Sequence, residues 1–342
     1  MNMISIIIQP DDTKEGIAKI INHETRFAIL PDHFPGNPIG YGVEDHSSHW
    51  LVDMIKQFPD CTFILASRVA GIENLNVIVM PLYYMKEVFL HDWKYNVDWS
   101  QRSFTCSIIG GKTRINRTLA SFWLANNYPA EQLKYHYTEN NDISAVGKYI
   151  TSAKYFRPRK FLLDTWQPAD KEYGNPKDTT NDEIALNHLL PNIISQAYIN
   201  LGVESVNPEL EAPLTEKTLQ AWLGGTMFLP LGEHQKDKEI TRYGFESFSD
   251  VFDFGCSSSD KHFDLTVGIL EDNKDFILDH SAVEQAWHDN LPKIKHNQRL
   301  AADRGHWQRI QHRQLSVLSD AVKLLDFSQI SRHFHWLKFF IQ

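Results

Sequence analysis

Several short apolar runs in this chain lack the polar alternation of a strand with one wet face, and this constrains the fold more than any other feature. Residues 4–8 read I-S-I-I-I, residues 62–66 T-F-I-L-A and residues 76–81 N-V-I-V-M-P. Such runs are expected for strands covered on both faces, as in a parallel sheet clothed by helices. Parallel strands need long crossovers, and one is predicted between the first two runs. Over residues 49–58, Trp50, Leu51, Met54, Ile55 and Phe58 fall at helical spacing before Pro59, which predicts an amphipathic helix.

A second series follows. Residues 103–109 (S-F-T-C-S-I-I) read as a strand, Gly110-Gly111 as a turn, residues 116–127 as a helix ended before Pro129, and residues 132–138 as a strand. Residues 157–183 are rich in Pro, Asp, Lys and Asn and predict a long surface excursion. Beyond it come a helical pattern at 183–188, a strand at 197–203, a helix at 215–224, a strand at 227–231 and a further helix before Gly244. From 281 to 337, Leu300, Trp307, Ile310, Leu315, Leu318, Val322 and Leu325 recur at helical spacings. The expected class is therefore α/β, with two doubly wound, Rossmann-like lobes and a helical C-terminal segment. The expected divisions are an N-terminal lobe over 1–98, a second lobe over 99–280 and the helical segment over 281–342.

Length and charge narrow the functions open to such a chain. At 342 residues, with 42% apolar and 12% aromatic residues, it has ample material for two cores. The net charge of −9 opposes general coating of nucleic acid, but it is unevenly spread. From His288 onward nine basic residues stand against four acidic ones, so this stretch carries +5 and the remainder −14. A local polyanion contact stays open. Cys61, Cys106 and Cys256 are scattered and form no C-x-x-C, so no disulfide framework or zinc ribbon is expected. Without a basic leader or a membrane-length apolar run, a cytoplasmic protein with no membrane insertion is expected.

The chemistry concentrates in residues 212–232, A-P-L-T-E-K-T-L-Q-A-W-L-G-G-T-M-F-L-P-L-G. Thr215 is placed to cap a helix whose exposed N–H groups and positive end favour an anion. Lys217 adds a full charge for a diphosphate, and Glu216 can accept hydrogen bonds from ribose hydroxyls. Upstream, Gly110-Gly111-Lys112-Thr113-Arg114-Ile115-Asn116-Arg117 carries a strand into a helix. Glycines there let a phosphate approach the backbone, and Lys112, Arg114 or Arg117 can hold its oxygens as charge grows on a leaving diphosphate. The stretch is not a nucleotidase phosphate loop, because Cys106 stands where G-x-x-x-x-G-K-T needs its first glycine.

The T-E-K helix followed by an apolar strand and a glycine resembles the donor site of the α-1,3-fucosyltransferases and their viral and bacterial relatives. The similarity spans roughly residues 103–255, with Glu204 after the upstream strand and Arg242-Tyr243-Gly244-Phe245-Glu246 at the downstream G-F run. The resemblance implies a GT-B type glycosyltransferase, with Glu216 on ribose, Lys217 on the diphosphate, and Lys112, Arg114, Arg117, Glu204 and Arg242 around a UDP- or GDP-type donor. Taken alone, T-E-K is also an ordinary capped helix start with a surface ion pair. A noncatalytic nucleotide-binding or partner-recruiting module on the same fold is the alternative.

An acceptor hydroxyl needs a general base. The glycine-rich loop at 36–49 offers Asp45 first, then Glu44 and His46, although Asp45 could equally cap the helix that follows. No D-x-D triplet occurs, so neither a metal nor any cofactor beyond the nucleotide sugar is expected. The acceptor is either a surface glycan or a hydroxymethylated base in viral DNA. For the latter, the basic tail would contact phosphates and Trp307 and Trp336 would stack on bases.

Overall fold

The computed structural model describes residues 27–30, 49–65, 68–69, 75–79, 97, 99, 102–110, 120, 123–124, 127, 133–137, 194–203, 210–211, 216–231, 236–254 and 262–315. In chain order its elements are β1 (Phe27–Leu30), α1 (His49–Gln57), β2 (Thr62–Leu65), β3 (Arg68–Val69), β4 (Val77–Val79), β5 (Phe104–Gly110), β6 (Leu133–Tyr137), β7 (Ala197–Val203) and β8 (Leu210–Glu211). There follow α2 (Glu216–Leu223), β9 (Met227–Leu231), α3 (Lys236–Arg242), α4 (His262–Asp272), α5 (Lys274–Ile277), α6 (His280–Asp289), α7 (Leu291–Ala302) and α8 (Arg304–Leu315). Helices alternate with parallel strands, so the fold is α/β.

The chain forms two compact units, one of residues 1–92, 206–215 and 303–342, the other of residues 93–205 and 216–302. In the first, β1, β2 and β4 pair in parallel in the order β1-β2-β4, with Ile64 opposite both Ile29 and Ile78. Phe63 and Ile64 point to opposite faces of β2 and both are buried. This two-sided burial is why its sequence shows no alternation. α1 buries Ile55 of the predicted apolar face and also Val52, which that face left out, and exposes Asp53, Lys56 and Gln57, with Phe58 half-buried just after it, while the side chains of Trp50, Leu51 and Met54 lie outside the described ones.

In the second unit four parallel strands run in the order β6-β5-β7-β9. Their apolar face, with Cys106, Ile108, Ile199, Leu201, Val203, Met227, Leu229 and Leu231, packs with Trp123 and Leu124 and with Ile269 and Leu270 of α4. Gly202 takes the other face. A Cβ there would stand 2.1 Å from the Phe228 ring, so only glycine lets β9 close on β7 in this register. α2 ends at Gly224-Gly225, and Gly225 holds φ +67°, a left-handed helix stop that turns the chain into β9.

The segment after residue 281, read from sequence as one helical tail, is divided between the units. Val283, Trp287 and Ile294 of α6 and α7 share the core of β5, β7 and β9. α8 belongs with the first unit. α4 and α5 were not anticipated, since Thr266, Val267 and Gly268 break the helical propensity of H-F-D-L-T-V-G-I-L-E-D. The runs at 4–8 and 183–188 and the excursion at 157–183 lie outside the described residues.

Candidate functional site

The order β6-β5-β7-β9 fixes where a ligand site of this sheet belongs. From β5 the chain passes outward to β6, whereas β7 and β9 build on β5's other side. The direction of winding therefore reverses between β5 and β7. In open α/β sheets the crevice beyond the carboxyl ends of strands at such a switch point is the usual binding place. Because the strands are parallel, Gly110, Tyr137, Val203 and Leu231 end on one edge.

The predicted donor residues relate to that edge through the backbone. Lys112, Arg114 and Arg117 follow the last residue of β5 by two, four and seven positions, and Glu204 follows directly on β7. α2 runs from the same edge back to the start of β9. At its far end the carbonyls of Gly224 and Gly225 accept hydrogen bonds from Arg102 (3.2 Å) and Trp287 (3.0 Å), beside the starts of β5 and β7. Its first residues, Glu216 and half-buried Lys217, accordingly lie at the carboxyl edge. A helix of this length spans about 12 Å, roughly the depth of the sheet. Lys112, Arg114, Arg117, Glu204 and Thr215, with Asp45, Glu44 and His46, lie outside the described residues, and of Glu216 only the backbone is described.

Arg242 is placed apart from the start of α2. Its guanidinium, 43% exposed, pairs with Glu239 at 3.3 Å one turn earlier in α3. Three residues on, Phe245 stacks on Trp222 at 3.7 Å between centroids, in the last turn of α2 and so at the opposite end from Glu216. The rest of the G-F run is also anchored in the fold. Phe248 and Phe252 enter the core, and the buried Asn297 side chain pairs with both backbone groups of Glu246 at 2.8 Å. Asn273 does the same for Asp253. Amides that mimic a strand partner in this way fix a loop that has no ladder of its own.

The face of β5 and β7 opposite the apolar core carries a polar ladder that sequence reading passed over. Asn200 donates to Ser107 Oγ (3.0 Å), which donates to the Ile199 carbonyl (3.3 Å). Ser107 and Asn200 are register partners, each three residues before its strand ends at the switch point. Polar residues inside otherwise apolar strands were the available signal. At the opposite edge Thr105 and His280 Nδ1 lie 2.6 Å apart, and the Tyr198 hydroxyl donates to Glu284 at 2.6 Å. Burial, reinforced by the Glu284 carboxylate, pushes the Tyr198 phenol up to about 12. Arg102 donates to the Ala197 carbonyl at 2.6 Å and lies 4.6 Å over the Trp287 ring. This network clamps α6 under the sheet, away from the switch point.

Two expectations about the C-terminal region meet different outcomes. Trp307 is fully buried, so it offers no ring face for stacking on a base. Its apolar bulk is worth more inside the fold than the stacking predicted from sequence. Trp336 lies outside the described residues. Among the described residues no helix is long and apolar enough to cross a membrane, and no group of His, Cys, Asp or Glu is gathered to hold a metal ion. No protein-family model and no curated protein matches the chain.

Proposed function

We propose that the chain is a glycosyltransferase that moves a sugar from a nucleotide-diphosphate donor to an acceptor hydroxyl. One observation carries this reading: the winding reversal between β5 and β7 lies at the edge from which the Lys112-Arg114-Arg117 stretch and Glu204 depart and where α2 begins with Glu216 and Lys217. Basic side chains, a helix N-terminus and a ribose-binding carboxylate are the groups a nucleotide diphosphate requires. In this reading Lys217, Lys112, Arg114 and Arg117 hold the diphosphate and Glu216 and Glu204 the nucleoside, while Arg242, which leads into the segment stacked on the far end of α2, is left out of the donor site. The acceptor oxygen loses its proton to Asp45, with Glu44 or His46 as alternative bases, and bonds to the anomeric carbon. The bond from that carbon to the diphosphate oxygen breaks, and the cations receive the leaving charge. The two-lobed GT-B arrangement belongs to the same proposal.

The test is a thermal-shift panel of UDP, GDP, CDP and their sugars on wild type and Lys217→Ala. A ligand bound only by the folded state at a hundred times its Kd adds about 2.7 kcal/mol of stability. One nucleotide class is expected to raise the melting temperature, with the shift lost in Lys217→Ala while the unliganded melting temperature holds. Slow release of free nucleotide diphosphate from the matching sugar separates a transferase from a noncatalytic module. No shift with any nucleotide would reduce the T-E-K segment to a capped helix and remove the main support for a donor site.

A further inference from the structure

We propose that the exposed face of α8 docks the phosphate backbone of duplex nucleic acid. α8 reads R-G-H-W-Q-R-I-Q-H-R-Q-L and contains three arginines, two histidines and no acidic residue, in a chain whose net charge is −9. Its sides divide sharply. Trp307 is fully buried and Ile310 half-buried, whereas Arg304, Gln308, Arg309, His312 and Arg313 are exposed. Arg304, Gln308 and His312 follow at intervals of four, as do Arg309 and Arg313, so the exposed groups form one continuous stripe. Asp303, just before the helix, accepts the Gly305 N–H at 2.8 Å and pairs with Arg309 at 3.1 Å. Both members of that pair are largely solvated, and such pairs are weak enough for a phosphate to displace the carboxylate.

The chemistry selects the occupant. All full cations on this helix are arginines, whose planar forks match two phosphate oxygens, and Gln308 adds a neutral donor of the kind that positions a backbone. An anionic membrane would require large apolar side chains facing outward beside the cations, and the described apolar residues of α8 face inward. With Trp307 buried, the described ring on this exposed side is the small imidazole of His312, and no Trp, Tyr or Phe among the described residues of α8 offers a large platform for successive unstacked bases, which favours duplex over single strand and predicts no base preference. As a choice of DNA over glycan as acceptor, the inference rests on the transferase reading. As a statement about binding it stands apart from it.

Fluorescence anisotropy of the full chain with a labelled DNA duplex, in KCl between 50 and 200 mM, tests it. Three neutralised phosphates give a log–log slope of about −2.7, a fall in affinity of about 40-fold over that range. Replacing Arg304, Arg309 and Arg313 together by Ala is expected to weaken binding at least 30-fold at 50 mM and to flatten the slope. Arg313→Glu alone, on the exposed side, should weaken it about tenfold in a variant that circular dichroism shows to be folded, which covers the case in which the triple variant does not fold. Wild type without duplex binding at 50 mM, preference for phosphatidylserine vesicles over duplex, or Arg313→Glu binding like wild type would each overturn the proposal. Donor shifts are read separately: duplex binding without any nucleotide shift would sink the transferase reading and leave this one standing, and the reverse result would do the opposite.

Discussion

Gly202 shows how one residue sets a strand register. The missing side chain leaves room for the Phe228 ring, whose Cε2 and Cζ would lie 2.1 and 2.3 Å from a Cβ at that position. A ring between two buried strands cannot swing aside without shifting its neighbours, so Gly202→Ala is expected to destabilise by about 1–3 kcal/mol, the usual cost of overpacking. Urea unfolding measures this, and a midpoint equal to wild type would mean the ring has space the structure does not show. Restoring stability by pairing Gly202→Ala with Phe228→Leu would localise the cost to that contact. The companion position, Gly225, needs glycine for a different reason, its positive φ, so smaller neighbours would not rescue a substitution there.

α6 is the element that most rewards attention, because a sequence pattern with two apolar anchors becomes the floor of a sheet. Asp279 caps it, accepting the Ala282 N–H at 3.0 Å. Val283 and Trp287 enter the core, while His280 and Glu284, on the same side of the helix, meet Thr105 and Tyr198. Asp279→Ala is expected to cost about 1 kcal/mol, and Asp279→Ser to recover most of it, since any short oxygen side chain can serve the same N–H. Trp287→Ala removes a buried indole together with its bond to the Gly225 carbonyl and belongs in the 3–5 kcal/mol class. A change of Tm for the cap variant as large as that for Trp287→Ala would show that Asp279 does more than close a helix.

For the whole molecule the Tyr198 network predicts an alkaline limit. Tyr198 is fully buried, and its neutral form is favoured in the fold, first by desolvation and then by its bond to Glu284. Its phenol stands at about 12 in the fold against 10.0 ordinarily, so the stabilisation is complete below pH 10 and is lost as pH rises towards 12. The difference amounts to about 2–3 kcal/mol by linkage. Tyr198→Phe should flatten this part of the stability profile. Equal slopes for wild type and variant between pH 10 and 12 would dissociate the decline from this residue. The sequence by itself determined the α/β class and most of the described strands and helices, because two-sided burial and helical periodicity are written into local residue order. β7 and β9 were placed to the residue, and α2 to within one at each end. It also singled out Lys217, since a cation at a helix start is visible without knowing the fold. Only the tertiary structure decided that the winding reverses between β5 and β7, that α6 and α7 belong to the sheet's core, that Arg242 leads into a segment stacked on the far end of α2, and that Trp307 is spent on packing. Each of these depends on contacts between residues far apart in the chain, and local spacing carries no record of which distant surface will cover a side chain.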